Sequence, residues 1–372
     1  MTALRILLVQ LFSNGDCLYA TAVARQIKQD FENCHLTWAI SPSCRSMIDN
    51  NPYVDEVMEV TTVPKNSEAA FNRFIKDLKT RKKKGEWDKI IVTHIMGANQ
   101  ANYDGCIRSA VMRGYRFPLT VAIQPILRLR EDEFRSIRSF VAEHRLVEYR
   151  HVILFEFAPL SGQSLITREQ AIDMAQQLAA SGNVAVILSS AQRITHANPA
   201  IIDGSTLTMR ETAGLTHHCS LLLGCSSGLT WLSTADCANL LPMVQLLNPD
   251  TPWLNSVARD FKRFGLNASG VIELHENAAE KKMECIQLAL IDFDGARKKY
   301  HRDIPMNFRT SKDIVYNLLC YFRFGAVVKH LRINRQVHGI RPDLYFNVLN
   351  GFLVLIPRLI SNLFRKRILR SS

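Results

Sequence analysis

The chain alternates short apolar runs with stretches whose apolar residues recur every three or four positions. LRILLVQL (residues 4–11) reads as a strand buried on both faces. HLTWAIS (35–41), WDKIIVTHI (87–95) and PLTVAI (118–123) read as further strands, and VDEVMEV (54–60) alternates like a half-exposed one. Between them, Tyr19, Ala20, Val23, Ala24 and Ile27 share one face at helical spacing. Helices are also predicted over 67–84 and 131–146. The second of these carries acids at its start and His144 and Arg145 at its end, as the helix dipole prefers.

The pattern restarts after Tyr149. Strands are predicted at 151–157, 183–190, 220–226 and 241–248. Thr167 and Gln170 form a capping box ahead of a helix face of Ala171, Met174, Ala175 and Leu178, which Gly182 closes. Thr208 and Glu211 form a second capping box, and another helix starts within 227–236. Strand–helix alternation in both halves predicts an α/β chain of two Rossmann-like parallel-sheet domains, over 1–148 and 149–300. A basic helical tail over 301–372 is expected to pack back on the first domain and to touch a membrane. At 372 residues the chain is long enough for two cores.

In open parallel sheets, ligands bind at the carboxyl ends of the strands. Two turns there stand out. In FSNGD (12–16), Gly15 permits a close backbone approach and Asp16 stands at the head of a helix. Taken locally, Asp16 reads first as an N-cap. The helix dipole would also keep it ionised, as a general base requires. In LGCSSG (223–228), free N–H groups and two hydroxyls converge at a helix start, a seat for phosphate or simply a capped turn.

Together these turns resemble the ADP-heptose:lipopolysaccharide heptosyltransferase family (glycosyltransferase family 9). The resemblance rests on RILLVQLFSNGDCLYATAVARQIKQDF, on NPYVDEV (51–57) and on LTMRETAGLTHHCSLLLGCSSGLTWLSTA (207–235), and covers roughly residues 3–248. It implies a GT-B fold, two such domains facing a cleft. It implies an inverting, metal-independent transfer of sugar from a nucleotide-sugar donor to a saccharide or glycolipid acceptor, with no cofactor. Asp16 takes the place of the family's general base, beside Ser13, Asn14 and Gly15 on the acceptor side. Ser226, Ser227, Gly228, Leu229 and Thr230 fall at the donor diphosphate, and Leu207, Thr208 and Glu211 near its base and ribose. The chain departs from the family in carrying Ser226 for an aspartate and Trp231 for a histidine. Arg168 is the only basic residue in the loop after the first strand of the second half. Sugar-nucleotide epimerases share the two-domain plan and remain an alternative, as does a non-catalytic binding protein.

Charge sharpens the picture of partners. The net charge is +12. From Ser311 onward the chain has 11 basic and 2 acidic residues, so 11 − 2 = +9 of that excess lies in its last sixth. Residues 344–372 mix apolar side chains with Arg358, Arg365, Lys366, Arg367 and Arg370. That composition suits an anionic membrane surface better than nucleic acid, and otherwise a helix packed on the core or on a partner. KTRKKK (79–84) reads as a solvated helix end. No apolar run reaches the roughly 18 residues of a spanning helix, and no signal peptide is evident. Nine scattered cysteines fit reduced thiols in a cytoplasmic protein on the inner membrane face. Asp292-Phe293-Asp294 reads as helix capping by Asp294 and not as a metal site. The adjacent His217 and His218 point to different helix faces and make a poor metal site.

Overall fold

The computed structural model describes residues 3–157, 163–248, 250, 256–275 and 278–354. The first half comprises β1 (Leu4–Val9), α1 (Asn14–Asp30), β2 (Cys34–Ile40), β3 (Glu56–Glu59), α2 (Glu68–Lys83), β4 (Lys89–Val92), α3 (Ile107–Arg113) and α4 (Glu131–Glu143). Its strands form one parallel sheet in the order β3-β2-β1-β4. Leu8 lies opposite Trp38 on one side and Ile91 on the other. The unbroken apolar run of β1 follows from this central position. Ile6 and Leu8 pack towards α1, and Leu7 and Val9 towards α2 with Phe71 and Leu78. Each such buried side chain contributes roughly 1.5–3 kcal/mol.

The second half runs β5 (His151–Glu156), α5 (Arg168–Ala179), β6 (Val184–Ser189), β7 (Ile201–Asp203), α6 (Met209–Leu215), β8 (Leu221–Gly224), α7 (Gly228–Leu232), β9 (Met243–Leu246), α8 (Val257–Arg263), β10 (Val271–Leu274), α9 (Ala279–Ile291) and α10 (Phe293–Tyr300). Its sheet is six-stranded and parallel, in the order β10-β9-β8-β5-β6-β7. Both capping boxes form as expected, at Thr167 with Gln170 and at Thr208 with Glu211. Val152 and Leu154 of β5 join the same apolar core as α1, Trp38 and Trp231, so one core crosses from half to half.

Two expectations need correction. PLTVAI is not a strand. Its alternating residues are only partly buried, and its backbone lies along α1, where the Gln26 side chain accepts the N–H groups of Thr120 (2.6 Å) and Val121 (3.1 Å). Asp294 does not cap its helix. Asp292 does, accepting the Gly295 N–H at 2.9 Å, and Asp294 sits one residue inside the first turn. His217 and His218 lie in a short 3-10 turn, with His217 Nε2 3.1 Å from the Cys237 carbonyl.

The chain then returns to the first half. α11 (Arg309–Cys320), α12 (Phe324–His338) and a helix over 342–354, α13, follow β10 and its two helices. Phe308, Ile314, Val315, Leu318, Leu344 and Val348 close a core around Ala101, Tyr103 and Ala110. Asn334 donates to the Tyr103 carbonyl at 3.0 Å, and Arg323 pairs with Glu68 at 2.8 Å. Of the expected membrane segment, residues 355–372 lie outside the described residues.

Candidate functional site

Strand β1 ends at Val9, and the chain turns through Ser13 into α1. Ser13 takes the cap position with φ 69° and makes no side-chain capping bond. Asp16 is therefore not the N-cap but the third helical residue. No other side chain or backbone group hydrogen-bonds its carboxylate among the described residues. The residue is half-buried at the carboxyl edge of the first sheet. Burial lifts the Asp16 carboxyl from 3.8 to about 7, with charge on Cys44 adding and Lys65 opposing. The expectation that the dipole alone keeps it ionised is thus corrected: desolvation wins, and the group titrates near neutrality. Cys44 lies in the 3-10 turn Pro42–Ile48 that follows β2. A hydrogen bond from Cys17, against the effect of burial, draws the Cys44 thiol down to about 7. Nothing in the sequence pattern marks Cys44 or the exposed Lys65 as neighbours of Asp16; the sheet order brings them there.

The two unusual turns meet. A β-carbon on Gly15 would lie 3.5 Å from the Trp231 ring and 4.0 Å from the Gly228 α-carbon. These are ordinary van der Waals distances, so the turn at Gly15 packs directly against α7 with room for a β-carbon and little more. Asn14 Nδ2 donates to Met209 Sδ at 2.9 Å. A β-carbon on Gly228 would stand 3.3 Å from the Met209 methyl. Ser13–Asp16, the head of α6 and the head of α7 thus form one seam between the halves. Leu207, Thr208 and Glu211 are together at the head of α6. There Thr208 Oγ1 accepts the Glu211 N–H at 3.2 Å, and Glu211 Oε2 accepts the Thr208 N–H at 2.7 Å.

The turn Cys225–Gly228 is held from below. Ser226 has φ 56° and is buried, and its N–H donates to Gln245 Oε1 at 2.6 Å. The Thr230 hydroxyl donates to the same oxygen at 3.3 Å. The Ser227 hydroxyl donates to Glu156 Oε1, at the last residue of β5. Burial pushes the Glu156 carboxyl up to about 7, although Ser227 and the N–H groups of Leu229 and Thr230 pull it down. Glu156 is legible in HVILFEF as the one acid in a buried strand, yet the sequence pattern alone gives it no role. Trp231 is buried in the seam, edge-on to Tyr19 at 5.4 Å.

Behind the seam lies a fully buried ion pair. Arg108 of α3 donates through Nε to Asp260 Oδ2 of α8 at 3.2 Å, and its Nη2 is 3.0 Å from Oδ1. The guanidinium lies over Tyr19 (4.6 Å), Phe264 (5.4 Å) and Trp231 (5.6 Å). Arg210 of α6 reaches across to Glu133 of α4 at 2.6 Å and to the Ser46 carbonyl at 2.9 Å.

Two parallel sheets whose carboxyl edges share one seam define the GT-B arrangement. Solved structures agree on the fold. The glycosyl transferase family 9 protein from Veillonella parvula is similar at a TM-score of 0.51 and 16% identity, over 80% of this chain and 96% of its own. The ADP-heptose LPS heptosyltransferase II of E. coli is similar at a TM-score of 0.52 and 13% identity, over 78% of this chain and all (100%) of its own. No protein-family model matches the sequence, and no curated protein is similar to it in sequence.

Proposed function

We propose that this protein is a glycosyltransferase that moves a sugar from a nucleotide-sugar donor to a saccharide or glycolipid acceptor. The observation that carries the reading is Asp16: a carboxyl near pKa 7, without a hydrogen-bond partner among the described residues, one residue on from the Gly15 turn that packs on α7 in a GT-B fold. A base tuned near the working pH matches proton removal from an acceptor hydroxyl. The acceptor lies on the first half beside Ser13, Asn14 and Gly15. Its hydroxyl oxygen attacks C1 of the sugar as Asp16 takes the proton. The bond from C1 to the phosphate oxygen breaks on the opposite face, and the nucleoside diphosphate leaves with that electron pair. One displacement with one base inverts C1. Metal independence follows the family resemblance. Ser226–Thr230 bound the phosphate side of the donor, and Leu207, Thr208 and Glu211 its base and ribose. Both solved proteins above are named for glycosyl transfer, which favours this reading of the shared fold.

The test is a panel of nucleotide sugars with nucleoside diphosphate release as the readout, with and without a membrane-lipid extract. Release from one donor, raised by the extract, supports the transferase and identifies the nucleotide. No release from any donor removes the transferase reading and favours the epimerase or binding alternatives.

We propose further that the enzyme works at an anionic membrane surface, on its cytoplasmic side, where a glycolipid acceptor would lie. Among the described residues no helix is long and apolar enough to cross a membrane. Large apolar side chains nevertheless stand exposed on one stripe of α13, at Phe346, Leu349 and Leu353, and around the start of α12, at Phe322 and Phe324. Exposed Lys329, Arg332 and Arg335 lie on α12. Each such cation adds about 1 kcal/mol near anionic lipid. Leu344 and Val348 are buried in the first-half core, so deleting 344–372 would damage the fold as well as the contact. The cleaner variant replaces Phe346, Leu349 and Leu353 with serine. We expect it to lose most binding to phosphatidylglycerol vesicles while melting as the wild type does. Unchanged, salt-insensitive flotation would remove the membrane role of α13.

A further inference from the structure

A concavity lies beside β7, the edge strand of the second sheet. It encloses about 590 Å³, the size of a small-molecule site. One wall is the segment from Glu143 to Tyr149 after α4, and the other is the loop that leads from β6 through β7 to Thr206. Ile194, Ile201 and Ile202 are buried in its floor, and the half-buried Tyr149 adds an aromatic surface. Neither Asp16 nor any residue at the head of α7 lines it. The loop is held in place by its own polar groups. His196 Nδ1 accepts the Asn198 N–H at 3.0 Å, and Asn198 Oδ1 accepts the Ala200 N–H at 2.9 Å. Gln176 of α5 is 2.8 Å from His196 Nε2, and Arg168 donates to the Arg193 carbonyl at 3.0 Å. Both Asp203 carboxylate oxygens accept from Ser205. The side chains of Arg145, Arg193, Glu143 and Glu148 and the Tyr149 hydroxyl are left over. None of these has a hydrogen bond or ion pair among the described residues.

We propose that this concavity is a saccharide-binding site, separate from the seam where the sugar is moved. The charge balance decides against an anion. Arg145 and Arg193 stand against the carboxylates of Glu143, Glu148 and Asp203, so there is no cationic excess to hold a phosphate. What the walls offer instead is planar polar groups of both kinds. A guanidinium donates two parallel hydrogen bonds and a carboxylate accepts two. Each therefore matches a pair of neighbouring sugar hydroxyls, which donate and accept alike. The isoleucine floor and Tyr149 suit the C–H face of a pyranose ring. The pinned loop presents these groups before any ligand arrives, which lowers the ordering cost of binding. The inference goes beyond the transfer reaction, because a glycan held here needs no donor. It would keep the protein on a saccharide-bearing surface whichever sugar is transferred.

The experiment is saturation-transfer NMR on the full chain without nucleotide. The probes are glucose, galactose, N-acetylglucosamine, maltose and lactose, and the water-soluble glycan released by mild acid from a membrane-lipid extract. Wild type is compared with the double variant Arg145→Ala, Arg193→Ala. Both side chains are exposed and unpaired, so the variant is expected to melt as the wild type does. We expect wild type to bind at least one probe and the double variant to bind it roughly tenfold more weakly. Signal from the released glycan alone assigns the site to a glycolipid, and signal from the simple sugars assigns it to free saccharides; both support the site. Equal binding by the two proteins, or no probe bound by either, overturns it. Nucleoside diphosphate release from the donor panel, measured on the same two proteins without acceptor, tests the transferase reading separately. Equal release is expected, since neither arginine lies at the seam. Release lost only in the double variant would make the arginines part of the donor site and overturn the inference.

Discussion

Asp16→Asn is expected to lower sugar transfer by roughly 10²- to 10⁴-fold and at the same time to raise the melting temperature at pH 8 by a few degrees. The first effect is loss of the base. The second follows from linkage. The Asp16 carboxyl titrates at about 7 in the folded chain against 3.8 when unperturbed. Between those values the folded state holds more protons than the unfolded one, so stability falls as pH rises through that window. Above pH 7 the burial cost of the charge is fully present, and asparagine removes it. The gain in melting temperature should shrink towards pH 4. A merely structural carboxylate would show neither the loss of transfer nor an acid limb near pH 7 in the rate. Cys44→Ala should move that limb to lower pH, because charge on Cys44 raises the Asp16 carboxyl. If the limb stays in place, Cys44 has no hold on the base.

Arg108→Ala is expected to cost roughly 3–5 kcal/mol, because it strands Asp260 in a core where neither partner meets water. Burial already pushes the Asp260 carboxyl up against the pull of Arg108, so in the variant it takes up a proton instead of staying charged. The loss should therefore be smaller at pH 5 than at pH 8 in urea unfolding. Arg108→Lys should not rescue, since a lysine cannot spread over Tyr19, Trp231 and Phe264 while pairing with Asp260. Arg108→Met with Asp260→Leu should recover most of the stability. Losing the pair costs little once neither charge remains. If the single variant melts like wild type, the ion pair does not hold the seam.

Much of this architecture is written in the periodicity. The continuous apolar run of β1 and the two capping boxes locate their elements within a residue or two, because burial on both faces and a reciprocal cap leave few alternatives. PLTVAI misleads because a short alternating run between prolines suits a strand locally, while Gln26 of α1 takes up its N–H groups instead. The site was half legible. Ser-Asn-Gly-Asp and Cys-Ser-Ser-Gly mark two strand ends, and the seam joins them through Gly15, Gly228 and Met209. The position of Asp16 inside its helix was not legible, because a cap and a third helical residue differ in the backbone of residues 13–16 and not in side-chain pattern. Nor were Cys44, Lys65 and Arg108, whose roles depend on which strands become neighbours across the sheet.

The return of α11 and α12 to the first half bears on how the chain is made. Ala101, Tyr103 and Ala110 are closed over by side chains from Phe308 to Val348, more than 190 residues later in synthesis. The first sheet can form while the rest of the chain is still being translated, but this flank stays open until the last helices leave the ribosome. During that interval its apolar surface is exposed to other nascent chains. Chains that stop early in the second half should accordingly be chaperone-bound and insoluble, even though their first sheet is complete.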